Sequence, residues 1–204
     1  RCSMISLRDI QVVFGRGTPL QKQALKKIDL TIETGSFVTV IGSNGAGKST
    51  LIRTLSGLQP AISGEILLQQ QSLFNYTALD IAREISLVLT EKITFSQATV
   101  FDLVALGRQP YTNWMDQLQA EDINAINQAL QLTETEELKH KKINELSDGQ
   151  LQKALIAKAL AQDTALILLD EPTSHLDLSY QVTLLKLMQK LAHIQNKSIL
   201  YFGY

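Results

Sequence analysis

A glycine-rich run that ends in a lysine and two hydroxyl residues, Gly42-Ser43-Asn44-Gly45-Ala46-Gly47-Lys48-Ser49-Thr50, directly follows the apolar stretch Phe37-Val38-Thr39-Val40-Ile41. These residue types suit a chain of phosphates. Glycines at 42, 45 and 47 give the backbone conformations closed to other residues and let it approach an anion closely. A helix opening near Gly47 adds unsatisfied N–H groups that favour negative charge. Lys48 is then placed to reach β- and γ-phosphates, and Ser49 to put a hydroxyl on the magnesium ion that bridges them. A plain glycine turn with a solvated lysine would not require the strand before the run or the helical pattern Thr50-Leu51-Ile52-Arg53-Thr54-Leu55 after it. In that context the motif predicts a nucleoside triphosphate held on a helix N-terminus.

Two further strings carry chemistry. Ala165-Leu166-Ile167-Leu168-Leu169-Asp170-Glu171 is an apolar strand that ends abruptly in two carboxylates. Beside a phosphate loop, Asp170 suits magnesium through the ion's water shell, and Glu171 suits polarising the water that attacks a γ-phosphate. A strand end with two solvated acids is the alternative. Leu146-Ser147-Asp148-Gly149-Gln150 stands before the long helical stretch 151–161. Ser147 and Gly149 at a helix start present N–H groups and a hydroxyl, either as a second anion site or as an ordinary cap.

The elements that must position these groups alternate between strand and helix. Strands are expected over 5–14, 27–33, 37–41, 63–68, 86–89, 165–170 and 198–202, with a turn at Gly35 and a break at Pro60. Helices are expected over 48–57, 78–83 and 179–194. From about 97 to 162 the periodicity is helical: Val100, Leu103, Val104 and Leu106 share one face, and Ile123, Ile126, Ala129 and Leu130 another. Thr133 with Glu136 reads as a capping box. Strand–helix alternation implies a parallel sheet with ligands at the carboxyl ends of its strands. The expected fold is therefore α/β, a phosphate-loop parallel-sheet core with N-terminal antiparallel strands. Residues 1–96 and 163–204 form that core, with 97–162 an inserted helical subdomain, all within one domain.

At 204 residues with 45% hydrophobic content, the chain can bury a substantial core. Its net charge of −1 gives no electrostatic footprint for nucleic acid. The basic cluster Lys139-His140-Lys141-Lys142 reads as a solvated loop. One cysteine, Cys2, rules out an internal disulfide, and the cytoplasm is the expected setting. No window approaches the ~20 apolar residues of a spanning helix, so a membrane role requires a partner.

Together, GSNGAGKST at 42–50, LSDGQ at 146–150, LILLDEP at 166–172 and SHLD at 174–177 resemble the ATP-binding subunit of ABC transporters, and the resemblance covers nearly the whole chain. It implies a head-to-tail homodimer in which each MgATP lies between the phosphate loop of one copy and Ser147, Asp148, Gly149 and Gln150 of the other. It also implies a dimer contact at Asp177 and an aromatic stacked on adenine. Phe14 is the candidate for that aromatic, with core packing as its alternative and Arg16 as a rival. The string Val104-Ala105-Leu106-Gly107-Arg108-Gln109-Pro110-Tyr111 is similar to importers of ferric siderophores, haem and cobalamin, in which this region meets a cytoplasmic helix of the permease. Tyr111 and Trp114 read either as part of that contact or as subdomain core. Partners implied are the permease and, through it, a periplasmic or lipid-anchored binding protein, with the chain peripheral on the inner face of the membrane.

Two positions depart from the family pattern. Glu91 stands where the family carries a magnesium-touching glutamine; a carboxylate still suits that metal. Tyr204 stands about where the family places a γ-phosphate histidine, and family members continue beyond it. The expectation is MgATP binding with little hydrolysis by these residues alone. Rival readings are a nucleotide-binding module without turnover and a soluble ABC ATPase that acts outside transport.

Overall fold

The structure, a computed structural model, describes residues 3–15, 17–89, 97–112, 117–172 and 178–203. Strands β1 (Ser3–Phe14) and β2 (Lys22–Glu33) pair antiparallel and turn Ile5, Leu7, Ile10, Val12, Leu25 and Ile32 inward. At Asp9 the backbone is left-handed (φ 51°), the amide is held by Asp29 Oδ1 at 2.8 Å, and the register slips, as at a bulge. After β3 (Phe37–Ile41), β4 (Ser63–Leu68) and β5 (Gln71–Ser72) complete an antiparallel sheet of order β2-β1-β4-β5.

The second sheet is parallel. Strands β6 (Ile85–Val88), β7 (Leu166–Asp170) and β8 (Ser198–Gly203) join β3 in the order β3-β8-β7-β6. β7 is apolar without alternation because both its faces are covered, as parallel sheets require. Leu166 and Leu168, with Leu200 and Phe202 of β8, pack into the core shared with β1 and helix α1 (Lys48–Leu55). Ile167, Leu169, Ile199 and Tyr201 pack into a second core.

That second core belongs largely to helices. α2 (Ala78–Glu84) precedes β6, and α3 (Val100–Ala105), α4 (Ala120–Leu132) and α5 (Asp148–Ala161) follow it. α6 (Leu178–Gln195) joins β7 to β8. Side-chain capping boxes start α2 at Thr77/Asp80, α3 at Thr99/Asp102 and α5 at Ser147/Gln150. Val100, Leu103, Val104, Ile126, Ala129 and Leu130 meet Ala154, Ala157 and Ala161 of α5, whose small residues allow close approach. Gly107 lies so near the Lys158 carbonyl that a β-carbon there would collide with backbone.

The expected alternation and the split into antiparallel and parallel strands are present, with differences in detail. β2 begins at Lys22 rather than 27, since hairpin pairing with Phe14 and Val13 extends a polar stretch that no hydrophobic pattern marks. α1 ends at Leu55, where the Ser56 amide bonds back to Ile52 O. Ile123, expected on the buried face of α4, is 41% exposed. Thr133 does not cap the following turn: its hydroxyl bonds back to Ala129 O (2.9 Å) and shares a buried contact with Thr135, and Thr135 precedes the short 3-10 turn Glu136–Leu138. Lys139 is not simply solvated, because its ammonium bonds Asn127 Oδ1 at 2.9 Å and lies 4.9 Å from the centroid of the Phe101 ring.

Candidate functional site

The carboxyl ends of β3 and β7 flank that of β8, and β8 fastens both departing loops. Its Gly203 carbonyl accepts from Gly42 N (3.3 Å) and its Phe202 carbonyl from Glu171 N (2.9 Å). The phosphate-type loop and the Asp170-Glu171 pair are thereby brought to one edge of the sheet.

Within the loop the three glycines have different tasks. Gly45 and Gly47 are left-handed (φ 80° and 98°), which a side chain disfavours. A β-carbon on Gly47 would stand 2.7 Å from Ala24 O and 3.1 Å from Leu25 Cδ2, whereas one on Gly45 would meet nothing within 4 Å. Gly42 has no such φ; it leaves room beside the Ala46 Cβ, 3.4 Å away. Ala46 N closes a turn on Ser43 O at 3.2 Å, and Ser43, Asn44, Gly45 and Ala46 are exposed. Gly47 is the N-cap of α1 without a side-chain cap, so the helix's first N–H groups open toward the loop. Thr50 is half-buried, and its carbonyl accepts from Thr54 Oγ1 at 2.8 Å.

Lys48 is buried, and its Nζ meets three oxygens: Gly42 O at 2.6 Å, Ser43 O at 3.2 Å and Glu171 Oε1 at 3.2 Å. Glu171 is itself left-handed (φ 46°), a conformation costing a non-glycine residue about 1–2 kcal/mol. Such strain persists where surrounding structure imposes it, and here the Phe202 carbonyl and Lys48 do so. Asp170 is half-buried and accepts a hydrogen bond from the Ser49 hydroxyl. Burial pushes the Asp170 carboxyl above the usual carboxylate range and the charge of Glu171 adds to this, while Ser49, Lys48 and Arg53 pull the other way. Two adjacent pairs more than 120 positions apart thus form one charged cluster of lysine, hydroxyl and two carboxylates.

The other expected site residues lie as follows. Phe14 is 42% exposed at the end of β1, so it is not core; it pairs with Lys22, two positions before the Ala24-Leu25 segment against which Gly47 packs. Ser147 is the N-cap of α5: its Oγ accepts from Gln150 N (3.3 Å) and its amide donates to Gln150 Oε1 (3.2 Å). Ser147 and Asp148 are exposed, Gly149 and Gln150 half-buried. Glu91, Asp177, Trp114, Arg16, Cys2 and Tyr204 lie outside the described residues.

Sequence reasoning missed two features. Arg108, 8% exposed, donates from Nε to Asp122 Oδ1 (2.8 Å) and from its guanidinium to Ala161 O (2.9 Å), beneath the Tyr111 ring 4.0 Å away. Burial pushes the Asp122 carboxyl up, but hydrogen bonds from the Gln119 amide and Arg108, with the arginine's charge, outweigh it and hold the group below the usual range. Tyr111 is 37% exposed against Arg83 and Arg108, so it covers this pair rather than filling the core. The second feature is an apolar groove of about 1060 Å³ between β4, α2, β6, α3 and α5, lined by Leu58, Phe74, Ile81, Leu87, Leu103 and Lys158 among others. Leu58 (67%) and Phe74 (95%) are large apolar groups left in water at this groove.

Known proteins resemble the chain in sequence and in fold. The profile of the ABC transporter family matches residues 25–174. The probable siderophore transport system ATP-binding protein YusV of Bacillus subtilis is 38% identical over 175 residues, covering 86% of this chain and 64% of its own length. The ferric enterobactin transport ATP-binding protein FepC of Escherichia coli is 39% identical over 189 residues, 93% of this chain and 69% of its own. A dimeric structure of MJ0796, a bacterial ABC transporter cassette, superposes with a TM-score of 0.84 at 26% identity, covering 98% of this chain and 88% of that one. The chain thus spans less than two thirds of the length of the first of these relatives.

Proposed function

Because this chain belongs to the ABC transporter family, we propose that it is the ATP-binding and hydrolysing subunit that powers an importer of a ferric siderophore, haem or cobalamin. The observation that carries the reading is the meeting of Lys48, Ser49, Asp170 and Glu171 at the carboxyl ends of neighbouring parallel strands.

The three oxygens around Lys48 Nζ are the acceptor set that a β,γ-phosphate would supply. When a triphosphate enters, its oxygens compete for the ammonium and release Glu171. The freed carboxylate then orients a water toward the γ-phosphorus and accepts its proton as the P–O bond to the leaving diphosphate breaks. The amides at the start of α1 hold the phosphate chain, and an exposed Phe14 beside the loop suits stacking on adenine.

The donor set fits magnesium. A hydroxyl and a carboxylate, Ser49 and Asp170, offer hard oxygen ligands, and among the described residues no cluster of three acids, histidines or cysteines competes with them. Bound there with nucleotide and water oxygens, and with Glu91 as a further ligand, the ion would neutralise charge on the β- and γ-phosphates.

In trans, Ser147 supports a head-to-tail homodimer. Its oxygen accepts from Gln150 N, which leaves the hydroxyl proton to donate to a γ-phosphate held by the other copy. Gly149 and Gln150 would present backbone beside it, and Asp177 would lie at the same contact. Each triphosphate then touches both copies, so ATP favours the closed dimer by its differential affinity for that state.

Among the described residues no helix is long and apolar enough to cross a membrane. The groove with exposed Leu58 and Phe74 is the surface offered to a permease, against which the subunit would sit on the inner face of the cell membrane. The substrate-binding protein would act through that permease. Glu171→Gln in the full-length chain tests the assignment: MgATP binding should persist while hydrolysis falls roughly 10²–10⁴-fold. Unchanged turnover would remove Glu171 from the role of base.

A further inference from the structure

The groove has about the volume of two turns of α-helix, at 1060 Å³. Its walls are mostly apolar, and among the described residues its charged lining residues are Glu65 and Lys158. Glu65 lies exposed on β4 beside Arg8 of β1, an ordinary cross-strand pairing on a wet face. Lys158 is different. It projects from α5, where its own backbone is fixed by the Gly107 contact, into the wall that also contains Leu103, Leu106 and Leu155. It is half-buried, and its ammonium has no hydrogen-bond or ion-pair partner among the described residues. Other lysines of comparable burial are satisfied: Lys139 by Asn127, Lys153 by Glu134, and Lys197 by Asp163 and Thr164 O.

An occupant that covers the groove strips the remaining water from this cation. Without a counter-charge, that desolvation opposes binding; with a carboxylate in reach, the same desolvation strengthens the pair. We propose that Lys158 reads a carboxylate on the docking helix of the membrane partner, so that the groove selects an amphipathic helix bearing one acidic residue beside its apolar face. The proposal rests on the reading of the groove as the permease surface and names what that surface discriminates. Burial already holds the Lys158 ammonium below its ordinary value.

The probe is a synthetic amphipathic peptide of about 16 residues, near the length at which isolated helices become stable, with a fluorophore at its N-terminus. It carries leucines at i, i+3, i+4 and i+7 and a single Glu at the border of that face, and its twin carries Gln instead. Anisotropy titrations with the intact chain should show the Glu peptide binding about tenfold more tightly than the Gln peptide. Lys158→Gln should erase that difference, leaving the Gln peptide's affinity within about twofold. Lys158→Glu should transfer the preference to a peptide with Lys at the same place. Equal affinity of both peptides for the unaltered chain would overturn the role of Lys158 while leaving the groove as a docking surface. Absence of binding by either peptide, or binding that a Leu58→Asp change in the groove does not weaken, would overturn the docking reading itself.

Discussion

Replacing Gly47 and Gly45 separately by alanine isolates what the loop requires of its backbone. Both glycines are left-handed (φ 98° and 80°), so each alanine incurs a conformational cost of about 1–2 kcal/mol. Both variants regain about 0.4–1 kcal/mol because alanine has less freedom than glycine in the unfolded chain. The difference lies in space. At Gly45 the new methyl meets nothing within 4 Å, so the net loss should be near 1 kcal/mol or less. At Gly47 it stands 2.7 Å from a backbone oxygen, Ala24 O, and 3.1 Å from Leu25 Cδ2. Relief requires moving β2 or the loop, at the roughly 1–3 kcal/mol typical of overpacking, for a total of about 2–4 kcal/mol. For a chain of this size Gly47→Ala should lower Tm by roughly 5–12 °C, and Gly45→Ala by less than about 4 °C. Thermal unfolding followed by tryptophan-independent far-UV circular dichroism measures both, and fluorescent-ATP titration should show the larger affinity loss for Gly47→Ala. Equal Tm losses, or a greater loss at Gly45, would refute the reasoning that contact with β2 fixes the loop.

Arg108→Met leaves the Asp122 carboxylate buried without its partner and should cost about 3–5 kcal/mol in urea unfolding, whereas Arg108→Met combined with Asp122→Leu should recover much of it. In the same pair, Asp122 is held below the usual carboxylate range, so its contribution is present at neutral pH and lost as pH falls through that lowered value; Asp122→Asn should flatten the acid limb of a stability–pH curve. Asp170 has the opposite sign. Its carboxyl is raised, so the folded state binds the proton more tightly than the unfolded chain, and stability falls as pH rises through that range. Asp170→Asn should therefore leave the nucleotide-free protein as stable as before or more so near neutral pH by calorimetry, while weakening the dependence of ATP binding on magnesium.

Much of the site was legible because its chemistry is local in sequence. The loop 42–50 and the acids at 170–171 each announce themselves by residue type, and the strands that carry them are short apolar runs. What placed them together was not legible. The carbonyls of Phe202 and Gly203 that fasten both loops have no side-chain signature, and a contact across more than 120 positions leaves no period to detect. The distinct duties of Gly42, Gly45 and Gly47 depend on Ala24 and Ala46 as neighbours, which sequence spacing does not reveal. The same holds for Arg108: a string that suggested a subfamily proves to contain the cation of a buried pair with Asp122, which ties α4 to the end of α5. Ile123 and Thr133 misled because helical periodicity and cap spacing say which faces can be buried, not which neighbours arrive to bury them.

Lys48, with Ser49, Asp170 and Glu171 about it, is expected to receive a magnesium-bound triphosphate. Calorimetric titration of MgATP into the unaltered chain and into Lys48→Ala is the most direct test of that expectation. Saturable binding that falls at least about a hundredfold in Lys48→Ala, or about 2.7 kcal/mol, is the expected result. No binding by the unaltered chain, or equal affinity in the two proteins, would contradict it.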